Sequence, residues 1–285
     1  MKPDSDPAGP GPVRMDAIER AHLKDPRDAS HVMRRYDAPA EFRGLLQRFW
    51  IPVWSVPPGR EAPQKVLQYP VSLIVIAADY ARFYGVVSGL STTTLSGDGW
   101  AVGLMCAPSA GHLLAGEPMA AFTDRYVDVS EVLGDEGRVL TDRVRTAMSP
   151  SPASPEAHSA AMAAFTDALR RYLPVDAEGE LVNRVVAFVE SRSDVTRVAQ
   201  VCAEFDLSER ALQRLVHRRL GLTPKWLIQR RRLQEAAERL RTSTTTLGDV
   251  AAVLGYADQP HFIRDFAKIT GMTPGEFAAL HTRTP

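Results

Sequence analysis

Arg210, Gln213, Arg214, His217 and Arg218 share one side of any α-helix that turns Leu212, Val216 and Leu220 inward. Guanidinium and carboxamide groups arrayed in this way can read nucleobase edges. Arginine meets guanine bidentately, glutamine meets adenine, and either can bond a phosphate. Fifty residues downstream the arrangement recurs in altered form: with Phe262, Phe266 and Ile269 inward, Gln259, Pro260, Ile263 and Arg264 occupy the corresponding face and His261 lies beside them. Pro260 is tolerable in a first helical turn, and Ile263 can touch a thymine methyl but donates no hydrogen bond. A structural ion pair or a phosphate clamp competes as a role for Arg214 and Arg264, and His261 reads as a positioning or packing residue. Arg230, Arg231 and Arg232 form a further basic run, for which phosphate contact and solvated surface are equal expectations.

Other chemistries are poorly served. Cys106 and Cys202 lie far apart and form no metal-type pair, and His112 is the single histidine between residues 36 and 150. A metal-dependent barrel enzyme needs several clustered ligands, so no metal, cofactor or catalytic residue is expected. An enzyme of DNA alkyl transfer needs a reachable, activated thiol, whereas Cys106 sits in an apolar strand and Cys202 at a helix contact. Trp50, Trp54, Tyr69, Phe83, Tyr84 and Trp100 could line an apolar pocket for a small-molecule effector, and ordinary core aromatics are the plainer reading.

The polar faces need helices to carry them, and the punctuation for those helices is written twice. Gly221-Leu222-Thr223-Pro224 and Gly271-Met272-Thr273-Pro274 each follow an amphipathic stretch. Glycine suits the left-handed residue that ends a helix, threonine caps the next one, and proline fits its first turn. Glu276 completes a capping box with Thr273. Aligning the copies pairs Leu212 with Phe262, Arg214 with Arg264, Val216 with Phe266 and Cys202 with Ala251. Each unit is a short helix, a tight turn and a second helix. Between them a helix from Thr223-Pro224 to about Arg241 spans roughly 27 Å, close to the ~34 Å repeat of B-DNA.

The preceding half differs in pattern. FWIPVWSV, VLQYPVSLIVIA, RFYGVV and WAVGLMCA are short runs rich in Val, Ile and aromatics, separated by turn signals. From about residue 117 the spacing becomes helical, with Val129, Val132, Leu133, Val139, Leu140 and Val144 expected inside. The predicted fold class is α+β: a β-rich N-terminal domain with helices, on a barrel or sandwich, and an all-α C-terminal domain with two helix-turn-helix units. The expected boundaries are a disordered tail over 1–35, a sensor or dimerisation domain over 36–176 and a DNA-binding domain over 177–285.

With 285 residues, 45% hydrophobic and 24% charged, the chain has room for two cores. Its zero net charge is unevenly spread: residues 182–285 carry 16 Lys/Arg against 11 Asp/Glu, and residues 210–241 carry 10 against 2. An anionic partner is expected for that third. No apolar run approaches the ~20 residues of a membrane span, and the polar, Pro/Gly-rich N-terminus lacks a signal-peptide core, so a cytoplasmic location is expected.

GYADQPHFIRDFAKITGMTPGEF resembles the C-terminal signature of the AraC/XylS family of bacterial transcription regulators. The signature is met by Gly255, Tyr256, Asp258, Phe262, Arg264, Phe266, Gly271, Thr273, Pro274 and Phe277. LSERALQRLVHRRLGLTPKWLIQRRRL is similar to the family's first unit and connecting helix. The resemblance, over about 182–283, implies a seven-helix domain that puts one helix of each unit into the major groove of double-stranded DNA. It implies base readers at Arg210, Gln213 and Arg214, whereas Pro260 and Ile263 depart from the commoner small polar residues. The segment from Ser96 to Gly134 resembles the N-terminal domain of a subset of these regulators, a half used for effector sensing or dimerisation and often cupin-like. An activator role, RNA polymerase and a second copy of the chain as partners are what the family would imply. A half serving only dimerisation or protein contact is the alternative.

Overall fold

The computed structural model describes residues 28–67, 69–242 and 246–282. Residues 1–27 of the expected tail lie outside them. The rest of that stretch is partly strand, because HVMRRYD alternates in burial and pairs: β1 (His31–Asp37) runs antiparallel to β2 (Leu46–Val56), from His31 opposite Trp54 to Asp37 opposite Arg48.

A six-stranded antiparallel sheet follows the order β1-β2-β7-β4-β5-β8, with β4 at Leu73–Ala77, β5 at Ala81–Tyr84, β7 at Gly97–Cys106 and β8 at Tyr126–Asp128. β3 (Ala62–Leu67) and β6 (Leu90–Leu95) form a separate two-stranded sheet. VLQYPVSLIVIA is therefore not one strand. Pro70, which has no amide to give a ladder, lies in the gap between β3 and β4. β6 lacks a simple apolar run, and its Thr92–Thr94 are exposed, so it carries little strand signal by hydrophobicity.

Strand alternation gives the large sheet two different faces. Phe49, Ile51, Ile74, Ile76, Phe83, Trp100, Val102 and Leu104 pack on one side against α1 (Ala110–Ala115), α2 (Val129–Leu133), α3 (Asp135–Met148) and α4 (Pro155–Leu169). Trp50, Trp54, Leu73, Val75, Ala101 and Met105 face the other way with Tyr69. Val139 was expected inside and is instead 51% exposed. Gly134, at φ +63, separates α2 from α3 and resets the helical phase after Leu133.

Beyond residue 176 the described residues hold seven helices: α5 (Ala177–Ser191), α6 (Val198–Phe205), α7 (Glu209–Leu220), α8 (Pro224–Thr242), α9 (Leu247–Val253), α10 (Gln259–Thr270) and α11 (Pro274–Thr282). Their ends follow the punctuation. Ser208 accepts from the Ala211 amide at 3.2 Å and Asp258 from the His261 amide at 2.7 Å. Gly221 and Gly271 take left-handed C-caps at φ +74 and +71. Thr273 and Glu276 cap α11 reciprocally. Leu212, Val216 and Leu220 share a core with Val182, Val185, Val189 and Leu227, while Phe262, Phe266 and Ile269 share another with Leu233, Ala237 and Phe277. α8, about 28 Å long at ~1.5 Å per residue, contributes to both.

Candidate functional site

On α7 the buried stripe of Leu212, Leu215, Val216 and Leu220 leaves Arg210, Gln213, Arg214, His217 and Arg218 exposed. Gln213 Nε2 donates to Glu209 Oε1 at 3.1 Å, within the same helix. Arg218 is ion-paired with Glu178 of α5. Beside it, buried Arg219 donates through Nε to Glu178 Oε2 at 2.8 Å and through Nη2 to Asp176 Oδ2 at 2.6 Å. Burial opposes ionisation of Asp176, but the Arg219 guanidinium and the Gly179 amide hold its carboxyl below the usual range. The C-terminal end of α7 is thus bolted to the start of α5, while Arg210, Gln213, Arg214 and His217 present the water-facing side.

On α10, Gln259, Pro260, His261 and Arg264 are exposed, and Ile263 is half-buried against the second core. His261 lies edge-on to Tyr256 with centroids 5.2 Å apart, and its Nε2 is 3.6 Å from Asp265 Oδ2, which suits a positioning side chain. Asp265 in turn accepts from Gln229 Nε2 of α8 at 2.8 Å, so the connecting helix holds the second polar face directly.

The arginine run of α8 corrects both sequence expectations for it. Arg230 is 1% and Arg231 5% exposed, so neither is solvated surface nor placed to meet a phosphate. Arg230 Nη1 donates to Glu190 of α5 at 2.7 Å, and Arg231 donates to the Val195 carbonyl and to Glu235, each at 3.0 Å. Burial pulls the Arg231 guanidinium down from its ordinary pKa. Arg232 lies 3.9 Å over the Tyr256 ring. These cations fasten α8 to both units.

The N-terminal half contains a cavity of about 160 Å³ between the large sheet and the β3–β6 pair. Trp50, Trp54, Tyr69 and Tyr84 line it. Phe83 and Trp100, proposed with them, do not: both point into the helix-covered core, one residue out of phase with Tyr84 and Ala101. The two lining tryptophans lie flat on glycines of β7. Trp50 pairs with Gly103 and Trp54 with Gly99, and a Cβ at those glycines would fall 2.1 Å from Trp50 Cε2 and 2.4 Å from Trp54 Cζ2. Arg35, Arg48, His31, Gln64 and Tyr80 also border the space and were not singled out from sequence. A signal for the tryptophan–glycine floor was present, since two Trp four apart oppose two Gly four apart. Burial pushes the Tyr80 phenol up to about 12, so it stays neutral. At one edge Asp28 accepts from Gln64 Nε2 at 2.7 Å and from the Ser30 amide at 2.8 Å. Burial would raise its pKa, but these bonds and the nearby His31 hold it at about 2.

Three contacts join the cavity-bearing half to the first unit and α8. Thr123 Oγ1 donates to the Gly221 carbonyl at 3.0 Å, Trp226 Nε1 to the Ser88 carbonyl at 2.9 Å, and the Arg230 guanidinium sits 4.2 Å over the ring of Tyr69. Tyr69 therefore touches the cavity with its lining side and α8 through its ring. Asn183 of α5 adds a fourth anchor, donating to the Gly44 carbonyl and accepting from the Ser109 amide.

Cys106 is fully buried, and burial pushes its thiol up to about 12, the reverse of an activated nucleophile. Among the described residues no cluster of three His, Cys, Asp or Glu could hold a metal, and no helix is long and apolar enough to cross a membrane.

Comparison with known proteins finds two family matches along the chain. A family described as a helix-turn-helix domain matches residues 201–279, and a domain of unknown function (DUF6597) matches residues 34–128. The chain is similar to the HTH-type transcriptional activator RhaR of Cronobacter sakazakii, at 30% identity over 98 residues, covering 34% of this chain and 35% of the other. It is similar to the raffinose operon transcriptional regulatory protein RafR of Pediococcus pentosaceus, at 29% identity over 120 residues, covering 40% and 43%. These matches span only about a third to two-fifths of the relatives' length. Among solved structures, the C-terminal domain of AraT, a response regulator from Geobacillus stearothermophilus, aligns with TM-score 0.34 and 25% identity, over 39% of this chain and 91% of that one.

Proposed function

We propose that this chain, whose C-terminal domain belongs to the AraC/XylS helix-turn-helix family, is a sequence-specific DNA-binding transcription regulator controlled by a small molecule in its N-terminal cavity. The observation that carries the DNA-binding reading is the pair of exposed polar faces on duplicated helices α7 and α10, joined by one helix about as long as a turn of DNA. Arg210, Gln213, Arg214 and His217 read the first half-site, with Arg218 held back by Glu178. Gln259 and Arg264 serve the second, where Pro260 and Ile263 add contact but little hydrogen bonding and His261 positions the helix. The first unit therefore supplies more of the sequence preference.

Control by an effector is supported by the aromatic-lined cavity and by Tyr69, which borders it and carries Arg230 of α8 on its ring. An occupant that moves Tyr69 changes the seating of the helix that spaces the two readers. RNA polymerase and a second copy of the chain are the expected protein partners. The test is selection of bound sequences from random duplex DNA with the purified full chain, with and without the small-molecule fraction of a cell extract. Enrichment of two motifs about one helical turn apart is expected. No enrichment over bulk DNA at physiological salt under either condition would overturn the assignment.

A further inference from the structure

We propose that the cavity takes a planar ring system, an aromatic molecule of two or three fused rings, held by stacking on Trp50 and Trp54. This rests on the reading of the cavity as an effector site and adds the chemical class of its occupant. Shape alone selects it, and the charges at the cavity's border play no part.

The shape begins with how the two indoles lie. Side chains of a strand stand roughly perpendicular to their sheet, but these two lie down. A Cβ at Gly103 would fall 2.1, 2.2 and 2.6 Å from Cε2, Cζ2 and Cδ2 of Trp50, and only a point over the ring face is that close to all three. At Gly99 a Cβ would fall 2.4, 2.6 and 2.9 Å from Cζ2, Cε2 and Nε1 of Trp54. Trp54 Nε1 also donates to the Ser96 carbonyl at 3.2 Å, which fixes the ring's tilt and satisfies its one polar atom.

With their lower faces on β7, the indoles turn their upper faces toward the cavity they line. Both are half-buried, so the protein's own side chains leave them partly uncovered. Pro52, between them on the same face of β2, continues the platform. Across the space stand two cross-strand pairs of the β3–β6 ribbon, Gln64 with Thr93 and Val66 with Ser91. A recumbent aromatic floor beneath a second sheet bounds a slot rather than a round hole. Its volume of about 160 Å³ equals roughly 11 to 16 water-sized positions at ~10–15 Å³ each, room for two or three fused rings. Leu73, Val75, Leu95 and Met105 make its sides apolar, which suits the rim of an aromatic frame. A sugar can also stack on indole, but it needs polar side chains placed around its edge. Ring-on-ring stacking contributes beyond the area it buries, and a puckered or flexible hydrocarbon forgoes that gain.

The experiment compares three neutral probes on the full chain by calorimetry and thermal shift: 2-naphthalenemethanol, its saturated counterpart decahydro-2-naphthalenemethanol, and methyl β-D-glucopyranoside. The saturated probe has the same carbon frame and is the more hydrophobic, so apolar burial alone would favour it. Naphthalenemethanol is expected to bind roughly 5- to 150-fold tighter than the saturated probe, the range of stacking on two indoles, and the glucoside weakest. In Trp50→Leu/Trp54→Leu the preference should vanish while the saturated probe still binds, which also shows that the variant is folded. Equal or tighter binding of the saturated probe or the glucoside by the unmodified chain would overturn the planar class and leave the cavity as a binding site. If none of the three binds, but a cell-extract fraction gives a thermal shift abolished by Gly103→Val, the effector site stands and the class falls. Silence from probes and extract alike would overturn both.

Discussion

Gly221→Ala and Gly271→Ala should differ sharply, although the two glycines close equivalent helices at nearly the same φ, +74 and +71. Each substitution places a Cβ in the left-handed region, at a cost of roughly 1–2 kcal/mol. At Gly271 the nearest outside atom is Leu90 Cδ2 at 3.9 Å, an ordinary contact, so that cost is the whole effect. At Gly221 the new Cβ would fall 2.2 Å from Thr123 Oγ1 and 2.7 Å from the Met119 carbonyl oxygen, which is backbone and cannot swing aside. Overpacking adds about 1–3 kcal/mol, and loss of the Thr123–Gly221 hydrogen bond adds about 1 kcal/mol. The expected totals are therefore about 1–2 kcal/mol at Gly271 and about 3–6 kcal/mol at Gly221. Undocking of α7 from Met119–Ala121 sets a ceiling on the second figure, since the chain can escape the clash that way. Urea unfolding followed by tryptophan fluorescence measures both variants. Trp226, bonded to Ser88 across the same junction, should report undocking before global unfolding in Gly221→Ala alone. Equal losses within about 0.5 kcal/mol, with no early Trp226 transition, would refute the docking of the first unit on the N-terminal half.

Arg214→Ala and Arg264→Ala should each weaken binding to the selected DNA site by about 1–3 kcal/mol if they meet bases, with the fold retained. Fluorescence anisotropy at two salt concentrations separates this from phosphate contact, which would instead lower the salt slope by about one. Arg230→Met should destabilise the chain by about 3–5 kcal/mol because it strands Glu190 beneath α8, and Arg230→Met/Glu190→Leu should recover much of the loss in denaturant melts. Gly103→Val should lift the Trp50 indole into the cavity, shifting its near-ultraviolet circular dichroism and abolishing ligand responses while DNA affinity without effector is kept. The Asp28 carboxyl is depressed in the folded chain, so its contribution is complete above its unfolded pKa of about 4 and fades as pH falls toward about 2. Carboxyl titration by nuclear magnetic resonance should show that midpoint, and a value near 4 would remove the clasp on Gln64.

The helical half was legible because its determinants are local. Core stripes at helical spacing, the Ser208 and Asp258 caps and the twin glycine stops all act within a few residues of where they are written. Arg230 and Arg231 were misread for the opposite reason. Their partners, Glu190 and Val195, are brought in from α5 and the turn after it, and nothing beside them in the chain announces burial. Phe83 and Trp100 were placed on the cavity side by residue type alone, when the strict alternation of a strand decides the side. β1 is hidden by its charges: Arg34 and Arg35 make the segment look like a tail, although Met33 borders the cavity, Tyr36 packs on the opposite, helix-covered face, and the whole segment pairs with β2.

The two-sidedness of the large sheet has a consequence for how such a protein can diversify. Residues that hold the sheet to its helices and residues that face an occupant are interleaved along the same strands, one peptide apart, yet they share almost no neighbours. Substitution at Leu73, Val75, Ala101 or Met105 reshapes the space for an occupant and leaves Ile74, Ile76, Val102 and Leu104 in contact with the helices behind. Ligand preference can drift by single steps across one face while the other conserves the architecture. The exceptions are Gly99 and Gly103, where any added side chain displaces a tryptophan. Those two positions set the depth of the chamber, and lineages with different occupants should vary around them before they vary at them.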